Sequence, residues 1–189
     1  MQERAIPHII VRDARKTLSK IASTFYGHPS KELKVIGITG TNGKTTTASL
    51  IYSILKNAKV KVAQIGTLGI KGDKKIQSNS LTTPDALTLQ KTFSYLLKNN
   101  FTHVVMEVSS HSLSQNRVDN IDFDIALFTN LTPDHLDYHK NIESYFRAKS
   151  KLFEMLRSDA IAIVNNSETF GKRIVKKCKA HHITYSAKN

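Results

Sequence analysis

The sequence predicts an α/β fold: a mostly parallel, doubly wound sheet carrying a P-loop. Three observations predict it. Short apolar runs alternate with helix-patterned stretches from Lys34 onward, the pattern of a parallel sheet covered on both faces. Polar clusters follow the ends of those runs, where ligands bind in such sheets. Residues 37–46 read Gly-Ile-Thr-Gly-Thr-Asn-Gly-Lys-Thr-Thr, directly after the apolar run Val35–Ile38 and directly before a helix pattern, so a strand passes through a glycine loop into a helix.

Taken in order, Asp13 is placed to cap a helix over 14–25, with Leu18, Ile21, Ala22 and Phe25 on one face. Gly27-His28-Pro29-Ser30 breaks it. A strand over 35–39 leads to a helix over 44–57 and a strand over 60–65. Residues 68–70 and 75–77, on either side of Lys71-Gly72-Asp73-Lys74, read as a short hairpin. Thr83-Pro84-Asp85 opens a helix running to about residue 99, with Thr83 as the expected cap and Pro84 in the first turn. Strands follow over 104–108 and 125–129, then a helix over 142–156, a strand over 160–164, a helix around 171–179 and a strand over 182–185.

Composition limits what such a fold can be doing. The chain has 189 residues, enough for one domain with a sizeable core, and no apolar run long enough for a transmembrane helix. Residues 1–15 lack the sustained apolar segment of a secretory signal. The single cysteine, Cys178, excludes an internal disulfide and a cysteine-based zinc site, and suits a reducing cytoplasm. The formal charge of +13 comes from lysines scattered through helices and loops, without a basic stripe interleaved with aromatics. A lysine-rich surface attractive to anionic nucleotides accounts for it, and neither a nucleic-acid nor a membrane partner is expected.

The glycine loop carries the most chemistry. Gly40, Thr41, Asn42, Gly43, Lys44, Thr45 and Thr46 turn backbone N–H groups around phosphate oxygens at a helix N-terminus. Lys44 reaches the β/γ phosphates and the Thr45 hydroxyl takes a place on Mg²⁺, so the expected ligands are ATP and Mg²⁺. The strict spacing Gly-x4-Gly-Lys-[Ser/Thr] fails at its first glycine, which falls on Ile38. Glu107 ends an apolar run, where an unpaired carboxylate is costly. Sharing Mg²⁺ with Thr45 resolves that cost, as does pairing with a lysine. Thr129-Asn130-Leu131-Thr132-Pro133-Asp134-His135-Leu136-Asp137-Tyr138-His139, with two histidines and two aspartates in its last six residues, is either a metal- or phosphate-handling loop or a polar turn. Lys149 alone interrupts the apolar stripe of Ile142, Tyr145, Phe146, Leu152, Phe153 and Leu156. A buried ammonium there turns neutral, finds an anion or is modified, whereas an edge lysine snorkels to water. Thr82-Thr83-Pro84-Asp85 and Ser114-Gln115-Asn116-Arg117 are polar turns, and Arg117 can hold a carboxylate or phosphate through paired hydrogen bonds.

Together these segments, with Glu107-Val108-Ser109-Ser110-His111, the run 130–139 and Arg147-Ala148-Lys149, resemble the Mur ligases over most of residues 34–156. Within that family the likeness is to the ligases that add the third amino acid, meso-diaminopimelate or L-lysine, to UDP-MurNAc-L-Ala-D-Glu. The resemblance implies ATP-dependent amide-bond formation in peptidoglycan synthesis through an acyl phosphate. It implies catalytic roles for Lys44, Glu107, His135 and Lys149, and a first Mg²⁺ on Thr45 and Glu107. A second Mg²⁺ on His135 and a carbamylated Lys149 are also implied, as are Thr82, Thr83, Ser109, Gln115 and Arg117 as contacts of the UDP-muramoyl-dipeptide. A cytoplasmic monomer is the expected context.

The sequence also departs from the family. Its three-domain pattern makes residues 1–33 a remnant of the uridine-binding domain and linker, and residues 34–189 a partial central ATPase domain. By the same resemblance the C-terminal domain is expected to be absent from these residues, and the chain is expected to be inactive alone. Where related sequences tend to read Asn-x-Asp-Asp, this one reads Asn165-Asn166-Ser167-Glu168. The alternatives are another Mur-type ligase, such as a cyanophycin or folylpolyglutamate synthetase, or a small P-loop kinase. A kinase needs an arginine-bearing lid, which the sequence does not show.

Overall fold

The computed structural model describes residues 9–78, 81–167 and 169–186. Residues 1–8 of the expected leading segment, and Glu168 of the 165–168 run, lie outside the described residues. The strands are β1 (Lys34–Thr39), β2 (Val62–Gly66), β3 (Gly69–Lys71), β4 (Lys75–Gln77), β5 (His103–Glu107), β6 (Ile125–Phe128), β7 (Ile161–Asn165) and β8 (His181–Tyr185). They form one eight-stranded sheet in the order β4-β3-β2-β5-β1-β6-β7-β8. The six strands from β2 to β8 in that order are parallel, and only the β3 and β4 hairpin at one edge is antiparallel.

The helices are α1 (Ala14–Phe25), α2 (Lys44–Asn57), α3 (Ala86–Lys98), α4 (Ser110–Ser114), α5 (Leu136–His139), α6 (Ile142–Glu154) and α7 (Thr169–Ile174). Alternation along the central strands β1, β2 and β6 sends buried side chains to both faces, whereas the edge strand β8 is exposed along its length. Val35, Ala63, Val104, Met106, Ala126, Phe128 and Val164 join Leu89, Phe93 and Leu96 of α3 and Tyr145, Leu152 and Phe153 of α6. Ile36, Ile38, Val62, Val105 and Leu127 meet Ala48 and Tyr52 of α2 on the other face. The sheet is therefore doubly wound. The strand order reverses around β1, whose neighbours are β5 and β6, and the carboxyl ends of these three strands form the crevice where such folds hold ligands.

Several local expectations are corrected. The cap of α3 is Asp85, not Thr83: the Asp85 carboxylate accepts from Thr88 N and Thr88 Oγ1 at 2.9 and 2.7 Å. Pro84 accordingly precedes the cap. The Thr83 hydroxyl is drawn away because it bridges to the end of β5, where Glu107 O accepts from it at 2.9 Å. Of the apolar stripe expected on α1 only Ala22 is buried, since Leu18, Ile21 and Phe25 are 46, 54 and 77 % exposed. Ser19 and Ser23 are buried with it. Small side chains let this helix come close to the turn at Asn120, which donates to Ser19 Oγ and accepts from Ser23 Oγ. The helix expected around 171–179 starts at Thr169 and ends at Ile174, followed by a 3-10 turn over Val175–Lys177.

Candidate active site

The glycine loop leaves β1 and closes onto the segment after β6. Thr41 N donates to Asn130 O at 3.0 Å and Asn42 N to Asn130 Oδ1 at 2.9 Å. Thr129 Oγ1 and Asn130 Nδ2 donate back to Asn42 O at 2.7 and 3.2 Å. Thr41 Oγ1 donates to Thr132 O, accepts from Thr132 N and lies 3.2 Å from the Tyr145 hydroxyl. A Cβ on Gly40 would overlap the Thr129 hydroxyl, so this close approach of two loops requires glycine. Gly43 is the N-cap of α2 and offers no capping side chain, leaving the first N–H groups of that helix to an outside acceptor.

Two lysines converge on the loop. Lys44 Nζ donates to Gly40 O and Thr41 O at 2.9 and 2.8 Å. Lys149, 1 % exposed, donates to the same Gly40 O at 2.9 Å and lies over the Tyr145 ring at 4.5 Å. Lys149 therefore does not snorkel. Burial pushes its pKa well below the ordinary lysine value, and the Lys44 ammonium adds to that, with Asp134 opposing. Burial likewise lowers Lys44, against the pull of Glu107 and Asp134.

Glu107 is 1 % exposed and has no lysine partner; among the described residues no ion pair within 4.0 Å includes it. Its donors are neutral: Thr45 Oγ1 at 2.8 Å, Thr67 N at 2.9 Å and Thr67 Oγ1 at 3.3 Å. A Cβ on Gly66 would overlap the carboxylate, so the glycine ending β2 makes room for it. A buried carboxylate beside a threonine hydroxyl, with no cation in contact with it, fits a Mg²⁺ ion that takes its other ligands from phosphate and water. Among the described residues no three His, Cys, Asp or Glu side chains converge as a complete protein cage.

The other expected residues fall into two groups. Thr83 Oγ1 accepts from Ser109 N at 3.0 Å, and Ser109 caps α4 through Ser112 N. Arg117 donates to Thr83 O at 2.9 Å and from Nε to Gln115 Oε1 at 3.0 Å. Thr82 Oγ1 lies 3.2 Å from Thr67 Oγ1, beside Glu107. These five residues thus form one polar wall running away from the Glu107 carboxylate. His135 belongs elsewhere, in a ring cluster with His111 at 5.0 Å and Tyr145 at 6.2 Å, and its Nε2 is 3.5 Å from Asp134 Oδ2. His139, buried at 6 % exposure, shares a hydrogen bond with Ser110 Oγ at 2.9 Å and stacks near Tyr145.

Sequence reasoning assigned nothing to Gly66 or Thr67, gave Thr129, Thr132 and His139 no individual role within the loop over 129–139, and read Tyr145 only as part of the apolar stripe. Gly66-Thr67 was findable, because it follows a parallel strand just as the glycine loop follows β1. Tyr145 was hidden because its place on an apolar stripe reads as core.

A glycine loop between β1 and α2, flanked by a buried carboxylate on the next parallel strand, is the arrangement of a P-loop α/β domain. Residues 38–189 match the Mur ligase middle domain, and the chain belongs to that family. It is 48 % identical over 176 residues to the UDP-N-acetylmuramoyl-L-alanyl-D-glutamate--2,6-diaminopimelate ligase of Clostridioides difficile (strain 630), covering 93 % of this chain and 36 % of that protein. It is also 48 % identical over 183 residues to the ligase of the same name from Aquifex aeolicus (strain VF5), covering 97 % of this chain and 38 % of the relative. A solved structure of a ligase of that name superposes with a TM-score of 0.81 at 30 % identity, over 96 % of this chain and 38 % of the other. The chain thus spans little more than a third of the length of these relatives. Among the described residues no helix is long and apolar enough to cross a membrane.

Proposed function

We propose that this chain supplies the ATP site of a ligase that joins 2,6-diaminopimelate to UDP-MurNAc-L-Ala-D-Glu, with residues 34–189 belonging to its central ATPase domain. The observation that carries the reading is the buried Glu107 carboxylate, which meets Thr45 of the glycine loop at 2.8 Å and, among the described residues, has no ion-pair partner within 4.0 Å, although its field reaches the Lys44 ammonium. That pair suits the Mg²⁺ of a bound nucleotide, and the relatives' shared name supplies the substrate class.

The N–H groups of residues 40–46 and the positive end of α2 receive the ATP phosphates. Lys44 exchanges the carbonyls of Gly40 and Thr41 for phosphate oxygens. Mg²⁺ on Thr45 and Glu107 would neutralise charge on the transferring phosphoryl group. The wall of Thr82, Thr83, Ser109, Gln115 and Arg117 positions the muramoyl-dipeptide, so that its terminal carboxylate attacks the γ-phosphorus. ADP leaves, and the amino group of the incoming amino acid then displaces phosphate from the acyl carbon and loses a proton. Positioning and neutralisation of anions carry such a reaction, and the residues around the crevice have the charges for it.

Lys149 reads as a carbamate carrier. Its burial favours the neutral amine that attacks CO₂ with loss of a proton, and the resulting carboxylate would join His135 in holding a second Mg²⁺. Mass measurement on gently handled protein should show the added mass of one CO₂, which Lys149→Met removes; an unmodified wild type refutes it. Titration with ATP·Mg²⁺ and UDP-MurNAc-L-Ala-D-Glu, alone and together, tests the whole reading. Both should bind, and Glu107→Gln should abolish the Mg²⁺ dependence of nucleotide binding. Binding of ATP with any small acceptor other than the muramoyl-dipeptide would favour another ligase or a kinase.

A further inference from the structure

The helix α1 received no functional role from the sequence, yet it brings a second guanidinium to the far end of the polar wall. A cavity of about 260 Å³ lies between α1 and the start of α3, lined by Arg15, Leu18, Leu81, Asp85, Ala86, Gln115 and Arg117. Its body is apolar, from Leu18, Leu81 and Ala86, and its polar groups come from two arginines, one glutamine and one aspartate. The Asp85 charge is already engaged, since its oxygens accept from Thr88 N and Thr88 Oγ1 at the N-terminus of α3. Arg117 is committed on one side to Thr83 O and Gln115 Oε1. Arg15 is exposed on the rim, close enough that, after burial, it helps to lower the Arg117 pKa, with Asp85 and Tyr138 opposing.

We propose that this cavity is a subsite for the non-reacting carboxylate of the dipeptide, with Arg15 as a substrate-positioning residue across from Arg117. The proposal rests on the muramoyl-dipeptide reading above. Arg15 and Arg117 line one cavity, and although Asp85 already offsets more of the charge on Arg117 than Arg15 adds, a further carboxylate set between the two guanidiniums is attracted to both. The planar fork of arginine matches a carboxylate, and an apolar lining suits the aliphatic stem of a glutamyl group better than a diphosphate. The exposed Leu18 and Leu81 then have a use, as the surface on which that stem lies. One carboxylate held here leaves the other free to face the phosphate loop, which selects a dicarboxylic acceptor end over a monocarboxylic one.

The test is equilibrium binding of three ligands, UDP-MurNAc-L-Ala-D-Glu, UDP-MurNAc-L-Ala and ATP·Mg²⁺, to wild type, Arg15→Ala and Arg15→Lys. Arg15→Ala should weaken the dipeptide ligand about ten- to a hundredfold, the range of a charge-assisted hydrogen-bonded contact, with Arg15→Lys between it and wild type. UDP-MurNAc-L-Ala and ATP·Mg²⁺ should bind all three proteins alike. Equal binding of the dipeptide ligand by wild type and Arg15→Ala overturns the subsite while leaving the substrate reading intact. A loss that persists with UDP-MurNAc-L-Ala also overturns it, because Arg15 would then be serving the diphosphate. If wild type binds ATP·Mg²⁺ but not the dipeptide ligand, the substrate reading itself fails and the subsite with it.

Discussion

Lys149 and Glu107 are each about 1 % exposed, are of opposite ionisable type, and do not pair with each other. An isolated buried ammonium is disfavoured by desolvation, and here the Lys44 ammonium makes it worse. A group kept at such a cost is a candidate for chemistry rather than for stability. Lys149→Met should therefore raise the unfolding free energy by about 1–3 kcal/mol, since it replaces a buried amine, whose charging burial opposes, by an apolar side chain of similar length. Gly40 O keeps Lys44 as a donor in that variant, so no buried acceptor is stranded. Denaturant midpoints of the two proteins check it, and a lower midpoint for the methionine variant would show that Lys149 is structural. At this scale the sequence was informative about which residues are out of place, because a lysine on an apolar stripe and a glutamate ending an apolar run are visible as letters. It was silent on their partners, which come from residues 109 and 62 positions away.

At the scale of elements, long periodic segments were legible and their ends were not. The helix expected over 44–57 matches α2, whereas the start of α3 moved from Thr83 to Asp85. Both residues are good caps by type, and only the nearby end of β5 decides between them by taking the Thr83 hydroxyl. Asp85→Ala should cost about 1 kcal/mol, the usual value of such a cap, while Thr83→Val should leave the start of α3 intact and disturb the turn at Ser109 instead. Thermal melts of both variants, with amide exchange at Thr88 and Ser109, separate the two roles; loss of Thr88 protection in Thr83→Val would return the cap to Thr83. The pKa of Asp85 is lowered, although burial alone would raise it, because Thr88 and nearby backbone amides hold its ionised form. Its contribution is therefore present above the unfolded carboxylate range and lost as pH falls through the folded value. The α1 stripe failed for a related reason. Amphipathic pattern reports what a helix can bury, and α1 instead buries the small residues that fit the Asn120 turn.

For the whole molecule, the histidine-rich junction of α4, α5 and α6 sets an acid limit. Burial lowers the pKa values of His111 and His139; His135, Arg117 and Lys149 lower His111 further, His111, Lys149 and His135 lower His139 further, and Asp137 opposes at both. Both are neutral in the folded state where the unfolded chain would already bind protons. Stability is therefore unaffected above an unfolded histidine pKa of about 6.5 and falls as pH drops from there toward the folded values. The thermal midpoint should hold level down to about pH 6.5 and decrease below it, and His139→Gln should flatten that slope while retaining a partner for Ser110. An unchanged slope would place the acid sensitivity elsewhere. The sequence by itself determined the α/β alternation, the glycine loop and the identity of most charged groups around it, because local periodicity and spacing are written along the chain. Tertiary structure decided which strands flank β1, that Thr67 and Gly66 shape the Glu107 site, and that α1 carries Arg15 to the Arg117 wall. Those are contacts between distant residues, and they exist only once the parallel sheet has brought the carboxyl ends of β2, β5, β1 and β6 to one edge.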